Sequence, residues 1–307
     1  DNPVAIATRA SRGLLYGPQS RYGHPASGTT QSVEKMTRDE LVGHFNSQYG
    51  PEDATLIVVG DLSEDDVVSV AEAHFDGWTG QLAARDGDTD AEPPTADGAT
   101  IFLADKPGAP QSVIRAGHLT IPRHHPDYYA MGLLNYVFGG QFAARLNMNL
   151  RQDKGYSYGY YSQIDWLKGP SSLIAGGSVQ TAVTKDALAE TLKEYADIRR
   201  GRPITEEEFK NAKDGILRGF PSQFETQGQI LQQLGRVVIF GLPDDYYGSF
   251  LGNIDALTLD DVRAVASNRI EADRLVVLVV GDREVIGPGL SELGLPIVVV
   301  DNEGLPV

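Results

Sequence analysis

The segment Phe138 to Tyr161, FGGQFAARLNMNLRQDKGYSYGYY, holds the residue types in this chain best suited to chemistry. Arg151 and Tyr158 lie seven residues apart in it. A guanidinium and a phenol are both donors, and neither has to change charge to hold a carbonyl or steady an oxyanion. An Arg is equally at home at a helix C-terminus and a Tyr on a packed sheet, so the two residues alone leave both readings open. Tyr156 and Tyr160 could line a groove, or could share a sheet face with Tyr158 and Tyr161. The histidines are His24, His44, His74, His118, His124 and His125, and none has a partner His or Glu at metal-ligand spacing. The doublet His124-His125 reads as a surface helix start, because adjacent residues there do not face the same way. His24-Pro25 reads as a loop. With no cysteine in the chain, thiol catalysis, disulfides and Cys-based zinc sites are excluded.

Bringing Arg151 and Tyr158 to one place requires a helix-to-strand corner. Gly139 and Gly140 break a first helix over about 126–138, and a second is expected over about 141–153 with Ala143, Ala144, Leu146 and Leu150 as its packing face. Arg151 then lies at a helix end, Gly155 is the C-cap, and Tyr158 falls early in a strand over 156–166. Strands are also expected at 100–104, 112–119, 171–179, 275–280 and 296–300. Downstream helices are expected at 183–199, 205–219, 223–240, 244–252 and 258–268, with Thr205 and Glu208 forming a capping box. Near the start, Asn2-Pro3 opens a helix running to about Leu15, and helices over 37–48 and 64–76 flank a strand at 55–59. This order implies an α+β fold of antiparallel-rich sheet with helices packed on one face.

Two stretches match without a gap at an offset of 221 residues, Thr37–Asp61 and Thr258–Asp282. Thr37/Thr258, Asp39/Asp260, Val58/Val279, Val59/Val280, Gly60/Gly281 and Asp61/Asp282 are identical. Each reads as a Thr-capped helix followed by a β-branched strand ending in Gly-Asp. The repeat implies two homologous modules, 1–81 and 100–307, separated by an acidic, Pro-rich linker at 82–99. The later copy follows about 160 residues of its module and the earlier only 36, so the first module is expected to be truncated at its N-terminus.

Composition bounds the function. Hydrophobic residues make up 41% and charged residues 22% of the 307, values of a globular chain. A net charge of −16 repels phosphate backbones and argues against nucleic acid as a partner. No apolar run is long enough for a helical membrane span.

The pattern G-G-x-x-x-x-R-L-x-x-x-L-R-x-x-x-G-x-x-Y, from Gly139 to Tyr158, resembles the second, zinc-free domain of the inverted-zinc-motif metallopeptidases of the pitrilysin, insulin-degrading enzyme and mitochondrial processing peptidase type. The Asn2-Pro3 helix, Leu15-Tyr16-Gly17, His24-Pro25 and Val58–Asp61 resemble the end of that family's first domain. The resemblance implies that Arg151 and Tyr158 hold peptide substrate near a zinc ion in the other domain, with Gly139, Gly140 and Tyr156 as further substrate-binding candidates. It also implies an H-x-x-E-H zinc motif, which is absent from this sequence. The chain is therefore expected to carry no catalytic residue, metal ligand or cofactor and to cleave nothing alone. Zinc is expected in the complete enzyme or in a partner subunit. Three roles follow from the resemblance: the substrate-binding portion of a zinc endopeptidase whose catalytic half-module lies elsewhere, a non-catalytic subunit of a homo- or heterodimeric peptidase, or a structural assembly module. Similarity to bacterial two-domain members suggests the periplasm, with the cytoplasm as the alternative.

Overall fold

A computed structural model describes residues 2–80 and 98–307, so the expected linker falls outside the described residues except for its last two positions. In chain order the elements are α1 (Pro3–Tyr16), α2 (Thr30–Lys35), α3 (Arg38–Gln48), α4 (Glu64–Phe75), β1 (Thr100–Asp105), β2 (Gln111–Thr120), α5 (Tyr128–Phe138), α6 (Arg145–Asn147), β3 (Tyr161–Asp165) and β4 (Ser171–Gln180). They continue with α7 (Thr184–Ala196), α8 (Glu206–Gly219), α9 (Gln227–Phe240), α10 (Tyr246–Ala256), α11 (Leu259–Arg269), β5 (Val276–Gly281), α12 (Arg283–Ser291) and β6 (Ile297–Val300). Local chemistry sets many of the helix starts. Asn2 Oδ1 accepts from Val4 N at 2.8 Å with Pro3 behind it, and Thr37 and Thr258 close reciprocal boxes with Glu40 and Asp261. The short helices α2 and α12 are additions to the elements expected from sequence.

The chain forms two compact units, one of Asp1–Pro25, Asp90–Leu217 and Leu251–Val307, the other of Ala26–Thr89 and Arg218–Phe250. The first is built on a six-stranded sheet in the order β3-β4-β2-β5-β1-β6. Its fold class is α+β. Pairings of β2 with β4 and β5, and of β3 with β4, are antiparallel, whereas β1 lies parallel to β5 and β6. One sheet face buries Ile101, Ile114, Ala116, Leu173 and Val277 beneath α5, α7 and α11. The other face buries Val113, Leu278, Val280 and Val300 against Ile6, Ala7 and Ala10 of α1. Helix α1, grouped in the linear reading with the first module, thus completes the sandwich of the second.

The second unit contains α2, α3, α4 and α9, with Phe220 stacked on Phe250, tilted against Phe224, and Phe224 meeting Tyr247 edge-on. The strand expected at 55–59 does not form; this segment is irregular. A strand needs a neighbour for its backbone groups, and no described strand pairs with it. The repeat makes the difference concrete. Val262 and Val279 are fully buried, while their counterparts Leu41 and Val58 are 53% and 42% exposed.

Candidate functional site

Helix α5 ends at Phe138, where Gly139 N and Gly140 N both donate to Asn135 O, at 2.9 and 2.8 Å. Gly139 is buried at the approach of α5 to β3: Ser162 N donates to Gly139 O at 2.9 Å, and a Cβ here would collide with Ser162 N and Oγ. Gly140 is exposed, and a Cβ there would come within 2.9 Å of Asn135 Nδ2. Close packing accounts for both glycines in this geometry.

The helix expected from residue 141 starts only at Arg145, because Gln141 Oε1 accepts from Ala143 N at 2.7 Å and holds a turn open. Ala144, Leu146 and Leu150 are buried as expected, but Ala143, in the turn before the helix, is exposed. From Met148 to Asp153 the helix widens into a π turn, a feature frequent at functional sites. Arg151 sits on this turn, half-buried, with its guanidinium 4.5 Å from the centre of the Phe142 ring. The contact is a cation–π interaction, and no carboxylate pairs with Arg151 among the described residues.

After the left-handed Gly155 (φ 66°) the chain does not enter a strand at once. Ser157 Oγ bonds Ser178 O at 2.8 Å and accepts from Gly159 N at 3.1 Å, a local turn that competes with the ladder. Tyr158 therefore lies in a bend rather than early in the strand, which begins at Tyr161. It is 91% exposed. Among the described residues no hydrogen bond or ring contact joins Arg151 to Tyr158, and neither is sealed in the core. Tyr156 is half-buried and packs against the main core, with its amide bonded to Leu150 O at 2.8 Å. Tyr160 is fully buried; its hydroxyl receives Thr191 Oγ1 at 2.7 Å, and burial raises its pKa.

Two polar residues that sequence reasoning did not single out hold this corner. Asn147 is fully buried, with Nδ2 donating to Phe142 O at 2.7 Å and Oδ1 accepting from Tyr160 N at 3.1 Å. It ties the residue under Arg151 to the backbone two positions past Tyr158. Arg145, also buried, forks onto Glu208 through Nε and Nη2 at 2.7 and 2.6 Å and donates to Arg202 O at 2.6 Å. Glu208 is at the same time the box partner of Thr205 at the start of α8. Burial acts to raise the Glu208 pKa, but the Arg145 and Thr205 bonds outweigh it and hold the carboxyl below its ordinary 4.5. The adjoining cleft of about 770 Å³ is braced in the same way, Asn149 bridging Glu190 and Glu194 at 3.0 and 2.9 Å and Arg202 meeting Glu194 at 2.8 Å.

Three of the histidines make hydrogen bonds within the fold. His118 is buried between Leu119 O, at 2.8 Å from Nδ1, and Glu271 N, at 3.4 Å from Nε2, and burial lowers its pKa. His125 accepts from Asp127 N at 3.0 Å, and His24 contacts Pro18 O at 2.7 Å. Among the described residues no three His, Cys, Asp or Glu side chains converge in a way that could hold a metal ion. The residues present do not fit a zinc site, which needs three or four such ligands.

Among known proteins, the chain is 27% identical over 257 residues to an uncharacterized zinc protease of Mycobacterium leprae, covering 80% of this chain and 54% of that protein. It is 24% identical over 280 residues to the uncharacterized zinc protease YmxG of Bacillus subtilis, covering 91% and 66%. The chain thus spans between about half and two thirds of the length of these relatives. Its fold matches the crystal structure of a peptidase M16 inactive domain from Pseudomonas fluorescens with a TM-score of 0.78, at 24% identity, over 92% of this chain and 66% of that one. Residues 35–216, more than half of the chain, match the family described as peptidase M16 inactive domain, and the chain belongs to that family.

Proposed function

We propose that this chain is the zinc-free, substrate-gripping portion of a zinc-dependent endopeptidase acting on peptides or unfolded segments. The observation that carries the reading is the uncommitted state of Arg151 and Tyr158. In a chain of net charge −16, Arg151 rests on an aromatic face with no carboxylate partner among the described residues, which leaves its planar donor fork available. Tyr158 stands exposed on the same corner. Both can donate to a peptide carbonyl without a change of protonation. The terminal strand β3 begins three residues beyond Tyr158 and offers an edge to which an extended peptide can add, a mode tolerant of side-chain sequence.

Zinc would act in such an enzyme as a Lewis acid and water activator, from ligands that are not among the residues described here. A catalytic half-module or partner subunit of the same family supplies them. The exposed apolar positions of the first repeat copy, buried in the second, support the need for such a partner module. In the complete peptidase, Arg151→Ala should lower kcat/KM for an unfolded peptide by roughly 10- to 100-fold, the scale of one lost oriented donor. An unchanged value would remove Arg151 from the substrate grip.

A further inference from the structure

A second uncommitted cation lies on the sheet face that carries α1. Arg115 is in β2, on the same face as Val113, and its cross-strand partner in β4 is Gly176. Gly176 is in turn paired with Tyr161 of β3. Three adjacent strands therefore present Tyr161, Gly176 and Arg115 in one row, two strand spacings or about 10 Å from end to end. The glycine leaves a notch between a phenol and a guanidinium. Gly176 can carry no side chain, because a Cβ there would strike Ile114 O, and the Arg115 stem lies over the glycine with Cδ 3.2 Å from the position a Cβ would take. The notch opens into a groove of about 570 Å³ that Thr8, Arg12 and Gln163 also line.

The other charges in this groove answer one another. Arg12 faces Asp165 at 3.7 Å, and Asp165 accepts from Gln163 Nε2 at 2.6 Å. Arg115, half-buried, and the Tyr161 hydroxyl have no acceptor among the described residues. A partly desolvated guanidinium without a counter-ion is unfavourable, and its fork matches a carboxylate in bidentate geometry. Gly159, next to Tyr158, lines the same groove, so a peptide gripped at Tyr158 passes within reach.

We propose that the Arg115–Gly176–Tyr161 notch binds a carboxylate of the gripped peptide, from an acidic side chain or from a free C-terminus. The source of the carboxylate rests on the peptide-gripping reading above. The test is fluorescence anisotropy of the purified chain with labelled unstructured peptides that carry a central Glu or Gln and a free or amidated C-terminus. The carboxylate-bearing peptide should bind at least about tenfold more tightly than its neutral counterpart, a difference of about 1.4 kcal/mol. Arg115→Gln should bring the ratio to within about twofold, and Tyr161→Phe should reduce it in part. Which of the four peptides shows the preference tells side chain from C-terminus. Equal binding of all four by the unmodified chain, or a preference that survives Arg115→Gln, overturns the notch and leaves the peptide reading standing. Should no peptide bind, that reading fails instead, and titration with glutarate decides the notch. A shift of the Arg Nε–H signal that Arg115→Gln deletes supports it, and a static signal overturns it.

Discussion

The corner that carries Arg151 and Tyr158 is held by other residues. Asn147 is the plainest case: its one buried amide serves both Phe142 O and Tyr160 N. Asn147→Ala would strand both groups, at about 1 to 3 kcal/mol each. Its urea midpoint should fall accordingly, and the Tyr160 amide should exchange faster than in the unmodified chain; unchanged exchange would show that the bond does not hold the corner. Arg145 and Glu208 form the second support. Glu208→Ala leaves a buried guanidinium without its carboxylate and should cost about 3 kcal/mol or more. The pair also has a pH signature. Because the folded-state pKa of Glu208 is lowered, its contribution is complete above the ordinary value of 4.5 and is lost as pH falls through the lowered one. Unfolding free energy measured across that window should fall more steeply for the unmodified chain than for Glu208→Gln. Arg151 and Tyr158 stand out in the sequence through the pattern that resembles the zinc-free domain, while their residue types and spacing alone left both readings open. Asn147 does not stand out, because its worth depends on which two backbone groups it meets. The one hint was an amide side chain set between Leu146 and Leu150 on an apolar helical face.

At the scale of elements, most helices and strands of the first unit follow from periodicity and caps, and the exceptions have local causes. A Gln141 turn delays α6, a π turn carries Arg151, and a Ser157 turn delays β3. Each is a side-chain hydrogen bond or a register change that hydrophobic pattern does not report. Gly139 marks the tightest junction, where α5 meets β3. Gly139→Ala should destabilise by about 1 to 3 kcal/mol through overpacking and should weaken peptide binding at the same corner. A variant as stable as the parent would mean that Ser162 moves aside at no cost.

For the molecule as a whole, the repeat offers an internal control. The same sequence pattern occurs twice, with its apolar positions Val262 and Val279 buried in the later copy and Leu41 and Val58 exposed in the earlier one. Val262→Ala should cost about 2 kcal/mol or more in chemical denaturation of the purified chain, whereas Leu41→Ala should change it by less than about 0.5 kcal/mol. A comparable loss for Leu41→Ala would show that the first copy is packed in solution. Chelator treatment of the purified chain should leave its Tm unchanged, since no described cluster fits a structural metal.

The amino-acid order alone carried the α+β class, the two matching stretches at an offset of 221 residues, the absence of a zinc motif from this sequence and the Arg151–Tyr158 pattern, because propensity, period and spacing are local properties of a chain. Three things came only with the tertiary structure: that α1 closes the face of a sheet built more than 80 residues downstream, that residues 55–59 remain without a ladder, and that Arg115, Gly176 and Tyr161 share one row. Each depends on strand order and register. These are set by burial between segments far apart in sequence, and no local pattern encodes them.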